Sequence, residues 1–282
     1  MSAAAAPVNR FSPSDAAVEG FQILPRHWRA VVGWAGFQIV AIVALCVLLF
    51  VLLFAVVPFA ASRDAAGSLG SMAGAVLLGL GGLGIELIIL CGLFRLLLRP
   101  EEPAFLHLRI GRDELRVLGA SLLIVLIAVP LLILSALVVA AAGRTSTLVA
   151  ILAAVLVLTA DYALLLRLGL TPVIAFAERR INPAESWRRT RGQTWSLLGM
   201  AILRLCLLGL VAVVTWVTLF VISGLTTGFG DLNLTDAETL TAHPGRFLLQ
   251  AGAELVLAPL FLVIGQTPWV AAYRALPATG PS

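Results

Sequence analysis

The chain has 282 residues, of which 60% are hydrophobic and only 12% charged, with a mean hydropathy of +1.04. Soluble domains carry about 25% charged residues, so a water-exposed globule is excluded. The formal charge of +4 rests on arginine alone, because lysine is absent; that usage suggests a GC-rich coding genome and hence a bacterium.

In chain order, residues 1–14 (MSAAAAPVNRFSPS) read as a disordered tail. An amphipathic stretch leads into a first apolar run in which Ala30 to Ala61 carry no charge over 32 residues. About 20 apolar residues suffice to cross a bilayer. The run is also far longer than the apolar part of a cleaved signal peptide, about 7–15 residues. Further spans fall at about 70–98, 117–142, 146–170, 195–224 and 247–272, with the first at about 30–60. Each is expected to be helical, because backbone polar groups cannot face lipid unpaired. Residues 276–282 read as a second disordered tail. The predicted fold is therefore all-α, a polytopic helical bundle with six transmembrane helices in a membrane domain over 15–275.

Arginine placement predicts the orientation. With the N-terminus inside, fifteen arginines flank the cytoplasmic ends: Arg10, Arg26, Arg29, Arg95, Arg99, Arg109, Arg112, Arg116, Arg167, Arg179, Arg180, Arg188, Arg189, Arg191 and Arg274. Only Arg63, Arg144 and Arg246 fall outside, and the 226–245 loop is acidic with no arginine. This positive-inside bias places both termini in the cytoplasm of a bacterial inner membrane.

The cytoplasmic segments repeat. AVEGFQILPRHWRAVVG (17–33) aligns without gaps on PAESWRRTRGQTWSLLG (183–199), matching Glu19 with Glu185, Phe21 with Trp187 and Gly33 with Gly199. FLHLRIGRDELRVLG (105–119) is a weaker third copy ending in Gly119. The chain thus parses as three same-facing hairpins, about 15–98, 101–170 and 183–275, each preceded by a cytoplasmic interfacial helix. Arg26, Arg29, Arg109, Arg112, Arg116, Arg188, Arg189 and Arg191, with Trp28, Trp187 and Trp195, are the candidate headgroup-contacting residues. The expected partners are membrane lipids with anionic headgroups on the cytoplasmic side, together with a membrane-protein partner; nucleic acid is not expected. The competing reading is that such residues merely anchor the ends of the spans.

The stretch LRLGLTPVIAFAERRINPAESWRRTRGQTWSLLG (166–199) resembles the membrane domain fused to some glycerophosphoryl diester phosphodiesterases and found in related bacterial membrane proteins of unknown function. AVEGFQILPRHWRAVV is similar to the entry helix of that group. In the fused enzymes a separate soluble barrel performs hydrolysis, and no stretch of this sequence reads as one. The resemblance therefore implies the membrane module without phosphodiesterase activity.

Four ionisable residues fall inside spans, where charge is costly and functional by default: Glu86, Asp161, Arg204 and Glu254. Glu86, Asp161 and Arg204 lie about nine to twelve residues from the cytoplasmic ends of their helices and could share one level; Glu254 lies nearer the outer face. They could line a polar site, or Arg204 could pair with a carboxylate and pin the bundle. Gly67, Gly70, Gly74, Gly81, Gly84 and Cys91 form a small-residue stripe suited to close helix packing. No catalytic, nucleotide or metal motif occurs, and the three cysteines and three histidines are scattered, so no cofactor is expected. The leading functional expectation is a non-enzymatic scaffold or accessory module in envelope or lipid physiology. The alternative is a small-molecule or lipid permease with a polar site formed by Glu86, Asp161 and Arg204.

Overall fold

The computed structural model describes residues 11–56, 63–102, 105–227 and 244–276. Most of both expected tails and of the 226–245 loop lies outside them, as do the side chains of Arg63 and Arg246. The described residues form helices α1 (Pro13–Val56), α2 (Arg63–Leu98), α3 (Arg112–Gly143), α4 (Thr147–Leu168), α5 (Thr171–Ala177), α6 (Pro183–Arg189), α7 (Thr194–Thr227) and α8 (Pro244–Ala275). Among the described residues there is no strand. α1, α2, α3, α4 running into α5, α7 and α8 are long and apolar enough to cross a membrane. The chain is an all-α, multi-pass membrane protein.

Packing density is uneven along the helices. One end, where the short helices and most arginines gather, holds a core of fully buried side chains that includes Phe94, Leu170, Ile174, Phe176, Leu197 and Met200. A second cluster joins α1, α2 and α8 through Trp34, Ile89, Leu93 and Val263. Towards the other end, residues such as Leu48, Leu126, Leu156 and Val213 are exposed. Water would penalise that surface, whereas hydrocarbon is its matched solvent, so the packed end fixes the bundle and the remaining lengths face lipid.

α1 packs most extensively along α8, bringing the first and last spans together. Gly20 faces the α8 backbone: a Cβ there would lie 2.9 Å from the Ile264 Cα. Pro25 lies within α1, and His27 leaves helical geometry at φ −123°, ψ 24°. Proline removes one backbone donor and crowds the preceding turn, so α1 bends where its amphipathic start meets its span. The tail reading of 1–14 meets the structure at its last residues, since α1 begins at Pro13 and Phe11 packs against the core.

Local chemistry sets the other ends. The Val149 N–H donates to Ser146 Oγ (3.2 Å) at the start of α4, and the Glu185 N–H donates to Asn182 Oδ1 (3.2 Å) at the start of α6. Pro183 occupies the first turn of α6, where its missing donor costs nothing. The segment 105–111 is not the helix its likeness to 17–33 suggests. Residues Phe105–His107 form a 3₁₀ turn with Leu106 and His107 at φ 53° and 61°, and helix starts only at Arg112. Trp34 Nε1 donates to the Leu106 carbonyl (2.8 Å) and Arg95 donates to that of His107, so long-range side chains claim the carbonyls that helix propagation would use.

The three aligned glycines differ in how closely they are approached. A Cβ on Gly33 would collide with the Leu106 side chain at 2.6 Å, and one on Gly119 would meet Ile181 Cδ1 at 2.9 Å. One on Gly199 would touch Pro13 at 3.8 Å. Each glycine therefore faces a residue distant in the chain, at 106, 181 and 13 respectively. The glycine stripe of α2 behaves otherwise. Gly81 faces Leu45 and Cys91 is buried, but Gly74 and Gly84 have nothing within 4 Å. The side-chain surroundings of Gly67 and Gly70 lie outside the description.

Candidate functional site

Two regions gather polar chemistry: the charged end and a cavity within the spans. At the charged end, Arg95 is 2% exposed and donates to Glu114 Oε1 at 2.9 Å, with Glu102 at 3.6 Å. A buried ion of this kind is tolerable only when paired and hydrogen-bonded. Arg99 bridges towards Asp113 (3.4 Å) and donates to the Phe176 and Ala177 carbonyls (2.9 and 3.0 Å). It thereby satisfies carbonyls at the C-terminus of α5 that have no partner within the helix. The guanidiniums of Arg95 and Arg99 also stand 5.8 and 5.0 Å from the Phe176 ring, within cation–π range.

The same economy recurs on α6. Arg189 donates to Glu185 Oε1 (2.8 Å), pairs with Glu178 and lies 5.0 Å from the Tyr273 ring. Hydrogen bonds from Arg189 and Arg188 hold the Glu185 carboxyl well below its ordinary value, at about 2. Ser186 Oγ donates to the Arg167 carbonyl (2.6 Å), and Arg167 stacks over Trp187 at 4.6 Å, tying α6 to α4. Arg274 of α8 reaches Glu19 of α1 (3.2 Å) and caps the Leu97 carbonyl of α2. His107 titrates below its usual value because it is buried and lies beside Arg95, which favours the neutral ring.

This network divides the eight candidate headgroup arginines. Arg116, Arg188 and Arg189 have carboxylate partners in Asp113, Glu185 and Glu178. Arg26, Arg29, Arg109, Arg112 and Arg191 are exposed and have no carboxylate partner among the described residues. Near them in the chain stand exposed apolar residues: Trp28 (57%), Ile110 (80%) and Trp195 (84%).

Within the spans, the four ionisable residues have different surroundings. Asp161 is buried on α4 and accepts a hydrogen bond from Ser135 Oγ of α3 at 2.6 Å. Arg204 is half-buried on α7 beside Gly265 of α8, where a Cβ would lie 3.8 Å from its Nη2. Among the described residues no ion pair joins Arg204 to Glu86, Asp161 or Glu254. A shared level leaves helix rotation open, so depth by itself does not bring Glu86, Asp161 and Arg204 into contact. Glu86 and Glu254 instead line one cavity of about 450 Å³, together with Gln38 of α1, Thr215 of α7 and Gln266 of α8. Depth separates Glu254 from Glu86, and Gln38, Thr215 and Gln266 carry no charge to mark them in an apolar span. Polar residues recurring along the sixth span (Gln250, Glu254, Gln266) were the available signal.

Among the described residues no three of His, Cys, Asp and Glu stand together as a metal site. No family model, curated protein or solved structure matches the chain.

Proposed function

We propose that the chain is a non-enzymatic scaffold or accessory module of the bacterial cytoplasmic membrane, seated with its charged end and both termini at the cytoplasmic leaflet. The observation that carries this reading is the group of five exposed arginines without carboxylate partners, accompanied by Trp28, Ile110 and Trp195. Tryptophan suits the headgroup level, and each juxtamembrane arginine contributes about 1 kcal/mol towards an anionic surface. The arginines that are ion-paired build a rigid platform, and the unpaired ones are left to face phosphates. The likeness of 166–199 to the phosphodiesterase-associated membrane domain agrees with a role in lipid physiology. The three interfacial segments serve as the grips of three hairpins.

The full chain in nanodiscs tests this reading. Adding phosphatidylglycerol to phosphatidylcholine discs raises the melting temperature, and replacing all five free arginines by glutamine removes most of that rise. An equal rise in the five-fold variant contradicts the proposal.

A permease is the second reading, favoured by the cavity between the spans. Its polar lining is Glu86 and Glu254 with three uncharged partners, and neither Asp161 nor Arg204 belongs to it.

A further inference from the structure

The cavity between α1, α2, α7 and α8 combines features that plain helix packing does not require. Its two ionisable wall residues, Glu86 and Glu254, are both acidic and both exposed. Glu254 receives only a 3.2 Å hydrogen bond from Gln250, and Glu86 has no ion-pair or hydrogen-bond partner among the described residues. Gln38 supplies a second, independent indication. It is 6% exposed, lines the cavity, and has no hydrogen-bond partner among the described residues. The residue is otherwise buried while its unpaired amide atoms keep some exposure, so the carboxamide is available to something within the cavity.

Size and wall chemistry narrow the occupant. About 450 Å³ falls in the range of small-molecule sites, about 300–1,000 Å³, and far exceeds the space of one ion with its ligands. Leu219, Leu257 and Phe261 give the cavity apolar walls. No arginine lines it, so an anionic ligand would meet two like charges without compensation. Gln266 and Glu254 lie twelve residues apart on α8, so the polar lining extends about 18 Å along the helix. We infer that this cavity binds an organic cation with an apolar body, its ammonium group held by Glu86 and Glu254 and its polar atoms met by Gln38 and Gln266. This does not depend on the headgroup reading, since the two regions share no residue.

The test uses the full chain in phosphatidylcholine nanodiscs with octylamine, and with octanol and octanoate as matched controls. Octylamine raises the melting temperature saturably in the wild type, while octanol and octanoate do not. Glu86→Gln and Glu254→Gln each remove most of the octylamine shift and keep the ligand-free melting temperature. The comparison of amine with alcohol on the wild type needs no variant, so it stands even where a variant folds poorly. Equal shifts from octylamine and octanol, no amine shift, or an amine shift unchanged in both glutamine variants overturns the inference. A dimer that Glu86→Gln dissociates, with no amine shift, assigns the cavity to a second copy and likewise overturns it.

Discussion

Single atoms decide whether a glycine in this bundle is structural. At Gly20 the added Cβ would press on the Ile264 backbone at 2.9 Å, and a backbone inside a helix cannot yield. At Gly84 the same atom enters open space. Gly20→Ala is therefore expected to destabilise by about 1–3 kcal/mol through overpacking. Gly84→Ala is expected to be neutral, or stabilising by about 0.5–1 kcal/mol, from the better helix propensity of alanine. Thermal melts of both variants in one detergent check the order. The arginines divide in the same way. Sequence alone treats Arg189 and Arg191 as equals, but Arg189 is held by Glu185 and Glu178 while Arg191 has no carboxylate partner among the described residues. Only the fold reveals which cations are occupied, because Glu178 and Arg189 meet across a turn that the charge pattern does not specify.

At the scale of elements, the six long helices were legible because each apolar run exceeds a membrane thickness and has no competing structure in lipid. Their rotation was not. A helix apolar all round lacks the polar stripe that would mark an inward face, so the levels of Glu86, Asp161, Arg204 and Glu254 could be counted while their neighbours could not. The connecting segments were harder still. α6 is a discrete helix capped by Asn182, whereas Phe105–His107 form a 3₁₀ turn held by Trp34 and Arg95 and 108–111 are not helical, although the two sequences align. α6 also gives the account a pH dependence. The Glu185 carboxyl is depressed from 4.5 to about 2 by Arg189 and Arg188. A depressed folded value stabilises above the unfolded value and loses that contribution as pH falls through the folded one. Melting temperature is expected to fall between about pH 4.5 and 2, and Glu185→Gln to flatten that part of the curve. A wild-type profile no steeper than the variant's would contradict the role given to these hydrogen bonds.

At the scale of the whole molecule, the packed core, the ion pairs and the unpaired arginines all gather at one end, and the exposed leucines and valines cover the remaining lengths. α1 against α8 joins the first and last spans, and the cavity lies beside that junction, outside the charged platform. An asymmetric molecule of this kind has a defined up and down, and the proposed function depends on which end meets the anionic leaflet. Glu101 lies in an exposed turn at the charged end, and Thr145 in the exposed turn at the other end, between α3 and α4. The native cysteines provide little background, since Cys91 is buried and Cys46 and Cys206 lie on apolar span surfaces. Labelling of Glu101→Cys and Thr145→Cys with a charged, membrane-impermeant maleimide, in intact cells and in inside-out vesicles, reads out which end lies in the cytoplasm. With the charged end cytoplasmic, Thr145→Cys reacts in cells and Glu101→Cys only in inside-out vesicles; the opposite pattern overturns the proposed orientation.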